Sequence, residues 1–348
     1  MKNPPALQSL ADHIVAWFGA NGRDYPWRRT RDPYAILVSE IMLQQTQIAT
    51  VLGRGYYTRW LEKFPDFASL AAADEDAILK AWEGLGYYRR ARNLQKLAQA
   101  VVAQHGGTMP AEPAQILALP GIGPYTAGAI ASFAHGLHEP IVDGNVARVL
   151  ARVFDDDTPI DSAAGIRRQW EIARQLVQIA SDPRAFNSGL MELGQTVCKP
   201  GQPDCIACPI KSDCQTRRAP DLPVKKPAPA LTEVGEHVFF HCTSAGILLE
   251  QEAGSRRTGM WKLPAVPDAL PESERGPILL KLRYGITRYR VTLWVHEAPT
   301  VLVSSPAKRG FFAEAEVESL AMPSPFRRAV RHLLQAHTTA RFQLSADD

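Results

Sequence analysis

The sequence has little of what marks exported or membrane-bound chains. Its opening, MKNPPALQSL, carries neither a basic stretch nor an apolar core of signal-peptide kind, and no apolar run reaches the ~20 residues of a membrane helix. A soluble, cytoplasmic, monomeric protein with no membrane partner is the expectation. Cysteine is scarce, five among 348 residues, and a reducing cytosol argues against structural disulfides. Charge of either sign is nearly balanced, at a formal net +3, which permits a nucleic-acid partner without demanding one. Internal repeats and long low-complexity tracts are lacking as well.

What is present is concentrated. Four of the five cysteines fall in CKPGQPDCIACPIKSDC, residues 198–214, spaced C-x6-C-x2-C-x5-C at Cys198, Cys205, Cys208 and Cys214. Clustered thiols in an intracellular chain point to metal. Pro200, Gly201, Pro203 and Pro209 bend the backbone around the close pair. Zinc modules usually show two close pairs separated by a longer spacer, whereas here one close pair sits between two lone cysteines. The spacing favours metal over unconnected thiols, and an iron–sulfur cluster over zinc more weakly. Cys242 lies outside the segment and reads as a small buried hydrophobe.

Length suggests about two domains. The proline-rich RRAPDLPVKKPAPALTE, residues 217–233, reads as a semi-extended linker. Segments before it are helix-like, and after it come β-like runs such as HVFFHCTSAGILLE and YRVTLWVHEA. The predicted architecture is a helical domain over 1–216, the linker, and an α+β domain over 234–348.

Within the helical part, ILALPGIGPYTAGAIASFAHG suggests a helix ending near Leu119, a Pro-Gly-Ile-Gly turn, and a second helix from Pro124. The free amides of such a hairpin and helix start form an anion site. A helix-hairpin-helix gripping a DNA phosphate is one reading, and an ordinary helical hairpin packed in the core is the other. In PIVDGNVARVL, Asp143 precedes Gly-Asn and reads first as a helix cap. In DPYAILVSEIMLQQTQIATVL, the run from Ala35 to Leu52 reads as one long apolar helix. Glu40 then has Ile36, Leu37, Leu43 and Gln44 as helix neighbours. Burial among aliphatic groups should raise its pKa and keep a proton available for general acid chemistry.

Taken together, YPWRRTRDPYAILVSEIMLQQTQ, GLGYYRRARNL, LPGIGPYTAGAI, VDGNVARVL, FNSGLMELGQTVC and the cysteine spacing resemble the adenine DNA glycosylase family. These are the MutY-type members of the helix-hairpin-helix endonuclease III superfamily. The resemblance covers roughly residues 10–215 and continues more weakly to about 340. It implies an all-α glycosylase domain, a 4Fe-4S cluster held by the four cysteines, and double-stranded DNA carrying adenine opposite 8-oxoguanine or guanine as the partner. The loop between Cys198 and Cys205, basic in the family, carries Lys199 as its one cation here. In a bacterial cell such a protein works at the nucleoid.

The resemblance also assigns roles. Glu40 matches the proton donor and Asp143 the anion facing the sugar, with Tyr125 and Asn145 orienting them. Trp27, Arg28 and Gln45 match positions in the base pocket, and Ser188 stands where the family carries a longer polar side chain. DNA contacts are implied for Gln44, Thr46, Leu85 and Gly86, and for Gly121, Ile122 and Gly123 of the hairpin. Tyr87 matches the wedge beside the opposing base. Bifunctional lyases of the superfamily place a nucleophilic lysine two residues after the second hairpin glycine, where this chain has Tyr125, so hydrolysis without strand cleavage is expected. Thymine glycosylases share that tyrosine, and SEIMLQQTQ decides for adenine.

The C-terminal part resembles a Nudix-like, MutT-like domain that reads 8-oxoguanine, with TGMWKLPAVP as a landmark. A Glu-rich catalytic helix is missing from the sequence after residue 235, which disfavours nucleotide hydrolysis. Where the family's lesion-reading loop carries Phe-Ser-His, this chain has Ile286, Thr287 and Arg288, the last two of which should touch DNA. An apurinic lyase, a non-catalytic metal-bearing DNA-binding protein and a Nudix hydrolase are the competing functions.

Overall fold

The computed structural model describes residues 6–227, 229–254, 257–299 and 307–344, the side chains of 337–344 excepted. The chain packs as two compact units, Met1–Ala71 with Leu94–Pro227, and Ala72–Asn93 with Ala228–Asp348. The segment from 72 to 93 therefore groups with the C-terminal residues, although the sequence reading put it in the helical domain.

Twelve helices precede the strands among the described residues: α1 (Leu7–Asn21), α2 (Pro33–Leu43), α3 (Ile48–Gly53), α4 (Tyr56–Lys63), α5 (Phe67–Ala72), α6 (Glu75–Ala81), α7 (Arg89–His105), α8 (Pro113–Ala118), α9 (Pro124–Phe133), α10 (Gly144–Val153), α11 (Ala163–Ile179) and α12 (Pro183–Thr196). In the first unit, Leu10 and Ile14 of α1, Val146, Val149 and Leu150 of α10, Leu176 of α11 and Phe186, Leu190 and Leu193 of α12 form one buried core. Each such side chain stabilises the unit by about 1.5–3 kcal/mol.

Helix α2 is apolar on every side and is buried from Tyr34 to Met42, as such a helix must be. Asp32 caps it by accepting from the amides of Tyr34 and Ala35, and Pro33 fills the first turn. The continuous helix expected from Ala35 to Leu52 does not form. The chain leaves α2 at Gln44, turns through Gln45 with φ +58°, and re-enters a helix at Ile48. The break brings Gln44, Gln45 and Thr46 out of the apolar interior, with Gln45 exposed and its two neighbours half-buried.

The linker is in part bound down. The amide of Ile160 donates to the carbonyl of Val224, and that of Lys226 to the Asp161 carboxylate. Strands β1 (Thr232–Phe240), β2 (Cys242–Thr243), β3 (Gly246–Gln251), β4 (Trp261–Lys262), β5 (Ile278–Ile286), β6 (Tyr289–Glu297) and β7 (Arg309–Phe312) follow, with α13 (Glu314–Val317) and α14 (Ser324–Leu344). One sheet has the order β1-β6-β5, with β1 parallel to β6 and β5 antiparallel to it. The other runs β2-β3-β4, with β7 also on β3. Phe326, Ala329, Val330, Leu333 and Leu334 recur on one face of α14 and pack with Val238, Leu249, Leu263, Leu293 and Val295. Cys242 packs against this core, partly buried.

Candidate active site

Glu40 sits in the middle of α2 and is 6 % exposed. Burial pushes its carboxyl up to about 7, and the nearby Asp143 charge adds to the rise. The Tyr125 hydroxyl, which donates to Oε2 of Glu40 at 2.9 Å, and the Arg28 cation oppose it. The same hydroxyl lies 3.6 Å from Sδ of Met191. Buried beside Glu40 and Asp143, the Tyr125 phenol is driven well above its ordinary pKa and stays a neutral donor. The chain thus holds a carboxylic acid that is half-protonated near neutrality, aimed by a neutral hydroxyl.

The structure bears out the cap reading of Asp143. It caps α10, Oδ1 accepting from the amides of Asn145 at 2.9 Å and Val146 at 2.8 Å. Its Oδ2 accepts from the Asn145 side-chain amide at 2.8 Å. Arg148, one turn on, donates to the Asn145 side-chain oxygen at 2.8 Å, to the Gly194 carbonyl at 2.7 Å and to the Cys198 carbonyl at 2.9 Å. Arg152 donates in turn to the carbonyls of Cys198, Lys199, Gly201 and Leu222. Helix α10 therefore bears Asp143 at its start and, further along, two buried arginines that hold the cysteine loop.

The four clustered cysteines are free thiols and line one pocket, together with Val149, Val153, Val197 and Ile210 and the polar Arg152, Asp204, Lys211 and Arg217. Burial raises Cys208 to about 11 and moves Cys214 in the same direction. Such thiols stay protonated unless a metal displaces the proton. Among the described residues no three Cys, His, Asp or Glu side chains are grouped to hold one ion. Four thiols lining one pocket are the kind of donor set that an iron–sulfur group takes.

Glu40 opens onto a narrow cleft lined by Tyr25, Trp27, Arg28, Ile36, Leu43, Ile48, Phe133, Arg184, Ser188, Met191 and Gln195. Tyr25 stacks on Trp27, ring centres 5.2 Å apart, and Tyr57 meets Trp27 edge-on. The Arg28 guanidinium lies between the Phe18 and Tyr25 rings, 4.9 and 4.8 Å from their centres, and pairs with the buried carboxylate of Glu192. Of the pocket residues expected from the sequence, Trp27, Arg28 and Ser188 are on this wall. Gln45 is not; it stands exposed on the turn after α2. Sequence reading missed Arg184, Met191, Glu192 and Gln195. Their spacing around Ser188, at −4, +3, +4 and +7 on α12, was the available signal.

The hairpin joins α8 to α9. Gly121 is left-handed at φ +78°, and the α9 N-terminus has no side-chain cap. A Cβ on Gly123 would meet open space, and its φ of −106° suits any residue. The chain itself thus has no need of glycine there, whereas a ligand approaching the backbone would. Ile122 is half-buried.

In the second unit, Tyr87 is 44 % exposed with φ +49°, and Thr287 has φ +54°. Gln45, Tyr87 and Thr287 are three of the four non-glycine left-handed residues among those described, the fourth being Asp155. Thr287 and Arg288 form the two-residue turn between β5 and β6, where Ile286 pairs with Tyr289. Leu85 is 6 % exposed, so its side chain belongs to the core and Gly86 and Tyr87 supply the accessible surface.

Residues 38–174 match the HhH-GPD superfamily base excision DNA repair protein family. The chain is 47 % identical over 215 residues to adenine DNA glycosylase of Homo sapiens, covering 59 % of this chain and 39 % of that one. It is 39 % identical over 207 residues to adenine DNA glycosylase of Mycolicibacterium smegmatis, covering 59 % of this chain and 69 % of that one. The chain thus spans about two fifths of the length of the mammalian relative. Among solved structures, a thermostable thymine-DNA glycosylase superposes with a TM-score of 0.54 and 31 % identity over 60 % of this chain and 94 % of that one. A non-covalent endonuclease III–DNA complex, at TM-score 0.52 and 22 % identity, covers 63 % of this chain and 97 % of that one and shares the fold. With a bacterial relative 39 % identical and matched over two thirds of its length, the chain belongs to the adenine DNA glycosylase family.

Proposed function

We propose that this chain is a monofunctional adenine DNA glycosylase that flips adenine out of mispairs with 8-oxoguanine or guanine in duplex DNA and removes it by hydrolysis. The observation that carries the reading is Glu40, buried, half-protonated near pH 7 and hydrogen-bonded to Tyr125 at the edge of an aromatic cleft. Adenine in a duplex is out of reach of such a cleft until the nucleotide is extruded. Glu40 transfers its proton to a ring nitrogen of the base, the bond between the sugar C1′ and the base breaks with its electrons passing to the purine, and water adds to C1′, giving up a proton that restores the Glu40 carboxyl. Asp143 supplies the anion that stabilises positive charge developing on the sugar. Tyr125 is a neutral phenol and cannot form a Schiff base, so the reaction stops at the abasic site. Hairpin amides around Gly121–Gly123 hold a DNA phosphate.

Cys198, Cys205, Cys208 and Cys214 would hold a 4Fe-4S cluster, which when bound ties the 198–214 loop together. Arg148 and Arg152 already fix the carbonyls of that loop. The second unit is proposed as the Nudix-like reader of the opposing base, through Thr287 and Arg288 at its hairpin tip and through the Tyr87 ring. Among the described residues no helix is long and apolar enough to cross a membrane.

Single-turnover cleavage of duplexes with adenine opposite 8-oxoguanine, guanine or cytosine tests the proposal. Free adenine from the first two, with a strand that borohydride does not trap, is expected. Failure to release adenine from any duplex would overturn it.

A further inference from the structure

We infer that Arg327 of α14 is a positioning residue for Tyr87, latching the segment that bears this ring so that choice of the opposing base depends on it. The inference rests on the proposed role of Tyr87 beside that base. Arg327 is 4 % exposed, and its guanidinium bonds the Glu83 carboxylate, with the Glu318 carboxylate farther off at 3.8 Å. Its Nε donates to Oε1 of Glu83 at 2.8 Å and its Nη2 to Oε2 at 3.1 Å, while Nη1 and Nη2 also donate to the carbonyls of Val317 and Leu320. Lys80 adds a bond to Oε2 of Glu83 at 2.8 Å and reaches the carbonyls of Glu318 and Leu320. Residues 80–83 are thereby bound to the stretch 317–327, which lies about 240 residues away in sequence.

Glu83 is the foot of the Tyr87 loop. After it the backbone is left-handed at Gly84, Gly86 and Tyr87. Inside the loop, the Trp82 indole donates to the Gly86 carbonyl at 3.0 Å, and Arg90 donates to the carbonyls of Leu85 and Gly86 while lying 5.5 Å from the Tyr87 ring centre. The far foot is tied as well, Arg92 donating to the Thr258 carbonyl and pairing with Glu75. A loop braced within and gripped at both feet moves as one piece with its anchor. A planar fork matched to a carboxylate fixes orientation as well as distance, which a lysine in place of Arg327 would not do. A pair serving stability alone could be exchanged for apolar residues of similar volume with little loss; a pair that sets the angle of a ring could not.

The test uses the full chain in four variants: Arg327→Met, Glu83→Gln, the apolar pair Glu83→Leu with Arg327→Met, and Tyr87→Ser. Excision rates on adenine opposite 8-oxoguanine and opposite guanine are measured with thermal unfolding and with hydrogen exchange at residues 84–88. The latch predicts that the rate ratio between the two duplexes falls about tenfold, the scale of one lost charge-assisted hydrogen bond, in every latch variant that folds. Exchange at 84–88 should quicken, and the apolar pair should unfold near the wild-type temperature yet still lose the ratio. Should Arg327→Met fail to fold, Glu83→Gln carries the same comparison. Ratios within twofold of wild type in the latch variants, with Tyr87→Ser lowering the ratio, would overturn the latch alone. An unchanged ratio in Tyr87→Ser would overturn the underlying role of the ring and the latch with it.

Discussion

Replacing Glu40 by Gln should stabilise the protein, and the gain should grow with pH. The carboxyl goes from an ordinary value of 4.5 to about 7 on folding. The folded state therefore binds the proton more tightly than the unfolded one. Stability associated with this group is fully present below pH 4.5, falls as the pH rises, and has been lost once the pH passes 7. A rise from 4.5 to about 7 corresponds to about 3 kcal/mol, most of which develops between pH 5 and pH 8. Glutamine keeps the shape and the contact with the Tyr125 hydroxyl and cannot ionise, so Glu40→Gln should escape that loss. Denaturant unfolding of the two proteins at pH 5, 6, 7 and 8 reads it directly, with the difference widening in favour of the variant. The same substitution should lower adenine excision by ~10²-fold or more while duplex binding survives. A stability difference that stays flat from pH 5 to pH 8 would show that Glu40 is not a desolvated acid, and the assignment of the proton donor would fall with it.

Three further outcomes follow from the site. In Tyr125→Phe the hydroxyl that holds the Glu40 carboxyl down is gone, so the alkaline limb of the excision profile should move to higher pH; a limb that stays in place refutes the pairing. Cys208→Ser should cost iron, visible colour and thermal stability together, because ligation and loop order are coupled, and a colourless wild type with one zinc per chain would refute the cluster. Thr287→Gly should relieve the left-handed strain and raise stability by about 1 kcal/mol after the added entropy of the unfolded chain is subtracted. It should also weaken the preference for 8-oxoguanine by about 1–2 kcal/mol, which dissociation constants on the two duplexes would show; an unchanged preference would mean that Thr287 does not read the base.

How far these features were legible in the sequence depends on the range of the forces involved. Cysteine spacing, the Asp143 cap and the aliphatic neighbours of Glu40 are local patterns, and each could be read from a few adjacent residues. The Asp-Pro start of α2 was equally local. The turn at Gln45 was not, because neither glycine nor proline marks the left-handed residue, and an apolar run on both sides argues for a continuous helix. Ser188 was found alone because a motif names positions, whereas the wall it belongs to follows from helical period along α12. The ion pair of Glu83 with Arg327 had no local signature at all. Two oppositely charged residues so far apart in sequence meet only because the packed second unit brings α14 beside residues 80–83, and this is also why residues 72–93 group with the C-terminal half.

On the proposed mechanism Asp143 serves two masters, the start of a helix and the chemistry next to it, and the two can be separated by a single atom. Asparagine caps a helix as well as aspartate does, so Asp143→Asn should keep the bonds to the amides of Asn145 and Val146 while removing the anion. The outcome is a protein that folds, docks and stalls. For structural work it is a trap, able to hold an uncleaved substrate long enough to be seen. For a cell it would be worse than having none, since a stalled copy occupies the lesion and shields it from every other enzyme that could have repaired it.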